Sequence, residues 1–265
     1  MYATLRRTVN ADDIRLLFSP WRERHGRPAW KPRVGGAAAP FSSRFGGSPI
    51  LAAGEAWPAC GSCGDPMQFF LQLALTHCPT SFGAREGGLL QMFYCSRDDG
   101  SCETWSAFSG THLVRILDVP GALAPHPAGL APFPERAVLG WEALTDYPAP
   151  EDHRALGVAY DYDFKNKRVS ARCAELGLQL LDVDIDLDVA EAIATSEAGD
   201  KLGGWPAWVQ GVEYPSCTEC GQTMRLVLQV DSEDNVPFMF GDVGCGHITQ
   251  CPAHPSVLTF AWACG

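Results

Sequence analysis

A segment of fifteen residues occurs twice in this chain of 265 residues, and this internal repeat is the feature that most constrains the fold. The stretch PACGSCGDPMQFFLQ (58–72) returns 157 residues later as PSCTECGQTMRLVLQ (215–229), without a gap. Further upstream, the motif Gly-Gly-x-Pro at 46–49 is matched at the same offset by 203–206. Identities at one constant offset indicate a duplicated supersecondary unit. The sequence therefore predicts two pseudo-symmetric halves.

Each copy of the repeat reads as β-rich. The apolar runs MQFFLQLAL (67–75) and MRLVLQV (224–230) follow a turn and are typical of strands, and GLLQMFYC (88–95) and GHITQC (246–251) are candidate return strands. We therefore expect a mainly β fold of the α+β class, in which each half carries one zinc-binding turn.

The repeated Cys-x2-Cys-Gly turn supplies two thiolates, and a second pair of candidate ligands follows after 31 intervening residues in the first copy and 30 in the second. Sets of four thiolates, or of three thiolates and one imidazole, are typical of structural zinc and leave no position for water. Cys264 is an alternative to His254 as the last ligand. The predicted sets are Cys60, Cys63, Cys95 and Cys102, and then Cys217, Cys220, Cys251 and His254.

The odd number of cysteines, eleven, does not suit a complete disulfide framework, and paired cysteines in a reducing compartment are more typical of metal ligands. The alternative is that the cysteines line the core as small apolar residues. The four cysteines left over are expected to be buried or inert. They are Cys78, Cys173, Cys245 and Cys264.

The domain organisation is predicted from the repeat. We expect an N-terminal arm at 1–40, the first repeat with its four-cysteine zinc site at 41–118, a Pro/Ala-rich linker at 119–150, and the second repeat, whose zinc site has three cysteines and one histidine, at 151–265. Within the arm, Asn10 is expected to cap a short helix, a second helix is expected from Ser19, and the prolines of 27–34 indicate an extended segment.

The run LLDVDIDLDV (180–189) alternates between apolar and acidic residues, which predicts a strand with its carboxylates on one face. Three interpretations stay open: an edge strand protected by charge, a docking strip for a basic partner, or a calcium site. Trp205 and Trp208 are interpreted as residues that shape strands and core, or else as exposed anchors for a partner. The acidic residues concerned are Asp182, Asp184, Asp186 and Asp188.

The formal net charge of −11 is unevenly distributed, because residues 1–44 hold nine basic and three acidic residues and the rest holds eleven basic and 28 acidic ones. An acidic body repels nucleic acid and attracts basic partners, although solubility alone also favours net charge. The start of the chain lacks the apolar stretch of a signal peptide, and no apolar run reaches the roughly 18 residues of a membrane span. We expect a cytoplasmic protein without a membrane partner.

The same motifs carry a family resemblance. With SRFGGSP, GEAWPAC and MQFFLQLAL and their counterparts DKLGGWPAWVQ, EYPSCTECG and MRLVLQVDSED, the chain resembles the YwqG-like family, a bacterial family of unknown function. It is also similar to the eukaryotic programmed-cell-death-protein-2 relatives. The resemblance implies a duplicated β-rich domain and a protein-binding role: the eukaryotic relatives act as chaperones of a ribosomal protein, and the bacterial ones are presumed immunity proteins at toxin loci.

The sequence offers no credible active site, since it holds no Gly-x-Ser-x-Gly elbow, phosphate loop or dinucleotide loop. We therefore expect a non-enzymatic, zinc-stabilised module that binds a toxin as its immunity protein or chaperones a basic client. The alternative is an RNA- or ribosome-associated factor that uses the basic arm, although we do not expect nucleic acid to be the partner. The use of only four lysines among twenty basic residues suggests a GC-rich bacterial source.

Overall fold

The computed structural model of the protein describes residues 3–5, 9–81, 87–97, 100–118 and 121–265. Strands dominate these residues, so the expected mainly β class is confirmed. The helices are α1 (Ala11–Leu17), α2 (Ser19–His25) and α3 (Val189–Ile193). The strands are β1 (Ala3–Leu5), β2 (Arg27–Gly35), β3 (Arg44–Phe45), β4 (Ile50–Leu51), β5 (Gln68–Ala74), β6 (Leu89–Tyr94), β7 (His112–Leu117), β8 (Ala122–Leu123), β9 (Arg136–Asp146), β10 (Val158–Asp163), β11 (Arg168–Cys173), β12 (Leu178–Asp184), β13 (Lys201–Gly203), β14 (Arg225–Asp231), β15 (Cys245–Gln250) and β16 (Leu258–Ala263).

The chain forms two compact units, each assembled from separate stretches of sequence. The first unit consists of Met1–Ala29, Thr145–Glu197 and Gly204–Val212, and the second of Trp30–Leu144, Ala198–Gly203 and Glu213–Gly265. The predicted repeat boundaries come from self-similarity of the sequence rather than from compactness, and they stay predictions. Among the residues that the structure describes, none of the helices has the length and apolar character that crossing a bilayer requires.

The first unit is a four-stranded sheet, in the order β1-β12-β11-β10, with three helices packed on its apolar face. Helix α1 begins as predicted, because the Asn10 side chain accepts a hydrogen bond from the Asp13 backbone at 2.9 Å and the Asp13 carboxylate accepts one from the Asn10 backbone. The predicted helix from Ser19 is confirmed as α2. Ile14, Phe18 and Trp21 of these helices are fully buried in the core of this unit.

The second unit is built on a ten-stranded sheet in the order β16-β15-β14-β13-β2-β9-β3-β5-β6-β7. Its two ends are antiparallel three-stranded meanders, β5-β6-β7 and β14-β15-β16, which contain the four predicted apolar runs as strands. The sheet curves until its outer strands approach each other, where the Phe260 backbone N–H donates to His112 Nε2 at 3.3 Å. The core of this unit is rich in aromatic rings, among them Phe70, Tyr94 and Phe240.

The two Gly-Gly-x-Pro motifs adopt the same backbone conformation. Gly46 and Gly203 have positive φ angles of 60° and 70°, a region that glycine enters without strain. A Cβ atom on Gly46 would lie 2.4 Å from the carbonyl oxygen of Pro134, so a larger residue does not fit there. The motif is therefore explained by backbone geometry, while internal duplication of the whole fold stays a prediction.

Two sequence-based expectations are corrected. The acidic run is not one strand: β12 ends at Asp184, Asp186 lies in a turn, and Asp188 caps α3. The expected common face is lost because Asp182 has a φ angle of +55°, which breaks the alternation of side chains. The segment 119–150 is a linker only in part, because the eleven-residue strand β9 fills its second half, whereas 124–135 has no helix or strand.

Candidate metal centres

In each meander the topology brings the predicted ligands together at one end of the strands. In the first meander, the turn of Cys60 and Cys63 precedes β5, Cys95 directly follows β6, and Cys102 lies in the connection to β7. Successive strands of a meander run in opposite directions. The start of the first strand, the end of the second and the start of the third therefore lie at the same end of the meander. The second meander repeats this arrangement with Cys217 and Cys220 before β14, Cys251 after β15 and His254 before β16.

In both clusters the four candidate ligand atoms lie within 4.8 Å of one another. Cys60 Sγ lies 3.8 Å from Cys102 Sγ, and Cys63 Sγ lies 3.8 Å from Cys95 Sγ. Four sulfur atoms placed tetrahedrally at about 2.3 Å from a zinc ion are roughly 3.8 Å apart, whereas a disulfide joins its sulfurs at roughly 2.05 Å. The separations therefore suit a tetrahedral metal site rather than disulfides, and every cysteine is a free thiol.

The second cluster has matching dimensions. Cys220 Sγ lies 3.7 Å from Cys251 Sγ, and His254 Nδ1 lies 3.8 Å from both Cys217 Sγ and Cys251 Sγ. A tetrahedral zinc ion would hold a sulfur and a nitrogen about 3.6 Å apart. Both clusters can thus hold a metal ion with all four ligands supplied by the protein.

The two Cys-x2-Cys turns have the same hydrogen bonds at the offset of 157 residues. In the first turn, Cys60 N–H donates to Asp65 O at 2.8 Å and Gly64 N–H donates to Cys60 O at 2.9 Å. In the second, Cys217 N–H donates to Gln222 O and Gly221 N–H to Cys217 O, both at 2.8 Å. Each turn also points a backbone N–H at its first sulfur, from Ser62 or Glu219 at 3.4 Å. These donors stabilise the negative charge of a thiolate.

The thiol pKa values reflect the same donors. Burial raises the pKa of Cys60, but hydrogen bonds from the backbone of Cys63 and Ser62 outweigh it and lower the pKa to about 7. In the second cluster burial likewise raises the pKa of Cys251, yet the backbone N–H groups of His254 and Ala253 help to lower it below its usual range. The Cys60 thiol is therefore ready to become a thiolate, the form that binds metal, near neutral pH, and the shift of Cys251 has the same direction.

The surroundings of the two clusters differ. Cys60, Cys95 and Cys102 are each 3% exposed and pack in one apolar cluster with the rings of Phe69 and Phe93. In the second cluster Cys217 and Cys251 are buried against Met224, whereas Cys220 is exposed and His254 half-buried. The first centre is thus part of a hydrophobic core, and the second lies nearer to the surface.

The open question of the last ligand is answered by position. His254 belongs to the second cluster and Cys264 does not, because the Cys264 side chain lies beside Gly241 instead. Of the other left-over cysteines, Cys78 has its pKa raised to about 12 by burial, and burial also raises the pKa of Cys173 and Cys245. A raised thiol pKa lowers the thiolate fraction, which fits the expectation that they are inert.

A row of polar residues that the sequence analysis missed crosses the first meander, and all of them are buried except Arg115, which is half-buried. Arg44, Gln72, Gln91 and Arg115 are register partners on β3, β5, β6 and β7. Gln72 donates to Ser42 O at 3.1 Å, Gln91 donates to Ile50 O at 2.6 Å, and Arg115 donates to Gln91 at 3.1 Å. The matched Gln72 and Gln229 were visible in the repeat, but pairing across strands was needed to find the row.

The row has a counterpart in the second meander, where Lys201, Gln229 and His247 are register partners on β13, β14 and β15. Lys201 and Gln229 have no exposed surface, and Gln229 Nε2 donates to Gly199 O at 2.8 Å. The side chains of Gln72, Gln91 and Gln229 all have hydrogen-bond partners, as buried polar groups in a stable interior require, whereas Arg44 Nε has none among the described residues. We interpret the two rows as structural, since their side chains hydrogen-bond the backbone of neighbouring loops and attach these loops to the sheet.

The two tryptophans proposed as partner anchors serve the first unit instead. Trp205 is 4% exposed, its ring nitrogen donates to His25 O at 2.8 Å, and the Arg27 guanidinium lies 3.3 Å from the centre of its ring system. Trp208 is half-buried and donates to Asp152 Oδ2 at 2.9 Å. The interpretation as an exposed anchor is therefore wrong for Trp205, and the structural interpretation fits both residues.

The four proposed partner-binding carboxylates are all exposed, although they do not share one face. Asp184 lies 3.4 Å from Arg168 and accepts the backbone N–H of Asp186 at 3.1 Å. Asp188 accepts the backbone N–H of Glu191 at 3.0 Å as the cap of α3. They form an acidic surface at the end of β12, and its role in binding stays a prediction.

Several arginines of the basic N-terminal segment are engaged within the protein. Arg22 donates to Ile193 O at 2.8 Å and covers the Tyr147 ring, and Arg24 pairs with Glu175 at 3.0 Å. Arg44 is 1% exposed and pairs with Glu135 at 3.1 Å. Arg6 and Arg7 lie outside the described residues. The arm is therefore not an array of free cations.

A family model described as "Domain of unknown function (DUF1963)" matches residues 43–251, which include every candidate ligand except His254. The chain is also similar to "Uncharacterized protein YpfL" of Salmonella typhimurium (strain LT2), with 53% identity over 34 residues. That stretch is 13% of this chain and 8% of the relative, so the chain matches only a small part of the relative's length. A bacterial domain of unknown function was expected, and that coarse expectation is confirmed.

Proposed function

The chain belongs to the DUF1963 family, and we propose that it is a non-enzymatic protein-binding module, stabilised by two structural zinc ions, whose partner is basic. The observation that carries the zinc assignment is the pair of complete four-ligand clusters with sulfur separations of 3.7–3.8 Å. Four protein ligands leave no position for a substrate or an activated water, which is typical of structural zinc. Both clusters are therefore assigned to stability rather than to catalysis.

Protein binding is supported by the charge of the surface. Asp182, Asp184, Asp186 and Asp188 are exposed, and the body of the chain beyond residue 44 carries 28 acidic and eleven basic residues. Such a field speeds the association of a basic protein and repels nucleic acid. Arg22, Arg24 and Arg44 already bond to groups within the protein and are less available to phosphates. This also favours a protein partner over RNA.

The finer proposal follows the YwqG-like resemblance and the internal duplication read from the sequence. We propose that the protein is an immunity protein that neutralises a toxin, or a dedicated chaperone of a basic client, in the bacterial cytoplasm. The turns at Cys60 and Cys217 support a duplication, since they have corresponding cysteines, the same pattern of hydrogen bonds and the same position in the meander.

The experiment is affinity purification from the native host, followed by reconstitution with the purified candidate partner. The expected partner has a high isoelectric point, binds the zinc-loaded chain directly, and loses affinity as salt is raised. Co-expression should then relieve the toxicity of the partner or keep it soluble. RNA binding that falls steeply with salt and is lost when the exposed Arg15 and Arg33 are both changed to Gln would instead favour the RNA-associated alternative. Absence of any basic protein partner would refute the proposal.

A further inference from the structure

We propose that the second candidate metal centre is a redox-sensitive site, at which peroxide joins Cys220 and Cys251 in a disulfide and releases the metal ion, while the first centre keeps its ion. The inference rests on the zinc assignment of the proposed function and adds a form of regulation to it. Thiolates that hold zinc are also the nucleophiles that peroxides oxidise, and access to the sulfur decides which of them react.

Access differs between the two centres. Cys220 is exposed, and so are all residues from 218 to 223 around it. The corresponding Cys63 is half-buried and packs against the apolar cluster that also contains the other three ligands of the first centre. The apolar cluster at the second centre is smaller and adds Met224 and Val257 to the ligands. A small polar oxidant therefore reaches a sulfur of the second centre more readily than one of the first.

The thiol that completes the disulfide already lies beside the exposed one. Cys251 Sγ lies 3.7 Å from Cys220 Sγ, and a disulfide joins its sulfurs at about 2.05 Å, so the two sulfurs must approach by about 1.7 Å. Cys251 has no exposed surface, so it is shielded from the oxidant and meets the oxidised Cys220 instead. Cys220 lies in its turn and Cys251 follows the end of β15, so no strand pairing has to break.

The reaction balances with hydrogen peroxide as the oxidant. The Cys220 thiolate attacks one peroxide oxygen, the O–O bond breaks, and a sulfenic acid and a hydroxide are formed. The Cys251 thiolate then attacks the Cys220 sulfur, the S–O bond breaks, and a second hydroxide leaves as the disulfide forms. The two sulfurs lose two electrons, which reduce the peroxide, and two protons from solvent convert both hydroxides to water.

Loss of two thiolates accounts for the release of the ion. Cys217 and His254 remain as ligands, and two ligands do not complete the tetrahedral set that structural zinc requires. The new disulfide still joins the turn of 217–220 to the end of β15, so it replaces one link that the ion made but not the link to His254. Reduction of the disulfide regenerates all four ligands, and the site can bind zinc again.

The test treats the full-length, zinc-loaded chain with hydrogen peroxide and follows released zinc with a chromogenic chelator. About one of the two ions should be released, at least about tenfold faster than the other, because oxidation follows exposure. Differential alkylation and peptide mass spectrometry should locate the disulfide at Cys220 and Cys251. Reductant and fresh zinc should restore two ions per chain, since a disulfide is reversible and a sulfinic acid is not.

Two variants sharpen the test. Cys220→His supplies an imidazole in place of the exposed thiolate and cannot form the disulfide, so peroxide should release zinc from its second centre at least about tenfold more slowly. Cys264→Ser is the matched control, because Cys264 is half-buried and lies outside both clusters, and the release rate should equal that of the parent. If Cys220→His binds a single ion, the mapping of the disulfide in the parent decides alone.

The outcomes separate this inference from the proposed function. A chain that holds two zinc ions but loses both at one rate, or loses neither, or forms its disulfide between other cysteines, overturns the inference and leaves the zinc assignment standing. An untreated chain with fewer than two zinc ions refutes the assignment of two ions and the inference together.

Discussion

Loss of one metal ligand should destabilise the second unit by several kcal/mol. The perturbation is Cys60→Ser or Cys217→Ser, since each residue is 3% exposed and lies at the centre of its cluster. Serine is close in size to cysteine but is a poor zinc ligand, so the substitution removes the metal with little change in packing. The three remaining ligand side chains and the serine hydroxyl then surround a position that was shaped for an ion and no longer holds one.

The size of the effect follows from linkage. A ligand that binds only the folded chain stabilises it by about 2.7 kcal/mol at one hundred times its dissociation constant and by about 4.1 kcal/mol at one thousand times. Zinc binding in small folded modules reaches roughly 10–16 kcal/mol, so these figures are lower bounds. For a protein of this size, about 1 kcal/mol corresponds to roughly 2–4 °C. We therefore expect the melting temperature to fall by at least about 6 °C.

The assay is thermal unfolding of the purified chain, followed by circular dichroism with and without a chelator. Cys264→Ser is the matched control, because Cys264 lies outside both clusters, and it should melt within about 2 °C of the parent. A chelator should lower the melting temperature of the parent and change the Cys60→Ser/Cys217→Ser double variant little. If both single variants and the chelated parent melt like the untreated parent, the cysteines do not hold the fold and the zinc reasoning is refuted.

Three further predictions follow from the same structure. Elemental analysis should find about two zinc ions per chain, about one in His254→Ala and two in Cys264→Ser; fewer than one in the parent, with eleven titratable thiols, contradicts both sites. Burial lowers the pKa of His112 to about 4, and its Nε2 accepts the Phe260 N–H only when unprotonated. Stability should therefore fall as pH drops from about 6.5 towards 4, because the unfolded chain binds more protons in this range. The melting temperature of His112→Gln should depend less on pH than that of the parent. Replacement of Asp182, Asp184, Asp186 and Asp188 by Asn should slow association with the basic partner several-fold at low salt and little at 1 M salt, where the Debye length is roughly 3 Å. Asn at position 188 can still cap α3. An unchanged low-salt rate in stopped-flow measurements would leave these residues with a local structural role only.

The sequence predicted the metal centres better than it predicted their surroundings. Spacings of 31 and 30 residues in the two copies led to the eight candidate ligands, with Cys264 kept as an alternative to His254, because a tetrahedral site needs particular atom types in fixed number. The strands β5, β6, β14 and β15 were predictable for a related reason, since long apolar runs after a turn have few other uses. The last ligand could not be chosen between His254 and Cys264, because that choice depends on where the chain turns after β15.

Other features depend on pairings across the fold that a single sequence does not reveal. The alternation of 180–189 suggested one strand, yet a left-handed residue at Asp182 and the cap formed by Asp188 divide it. Trp205 looked suitable as an anchor, but the carboxylate of Asp146 and the backbone carbonyl of His25 accept its hydrogen bonds from distant parts of the chain. In the first case a local turn and helix cap interrupted the alternation, and in the second, contacts from distant parts of the chain buried the side chain.

Within the second unit, the candidate metal centres and the polar rows lie at different positions along the same meanders. A metal ion bound in each cluster would join the loops at one end of the strands, and each polar row crosses the middle of the strands. In the first meander the row also binds the segment that leads to the cysteine turn, since Gln72 and Gln91 bond both backbone groups of Ile50. A polar group buried without its partner costs about 1–3 kcal/mol, so displacement of that segment would expose the row and the metal ligands to disruption together. The stability of the first candidate centre is therefore expected to depend on hydrogen bonds that no ligand makes directly.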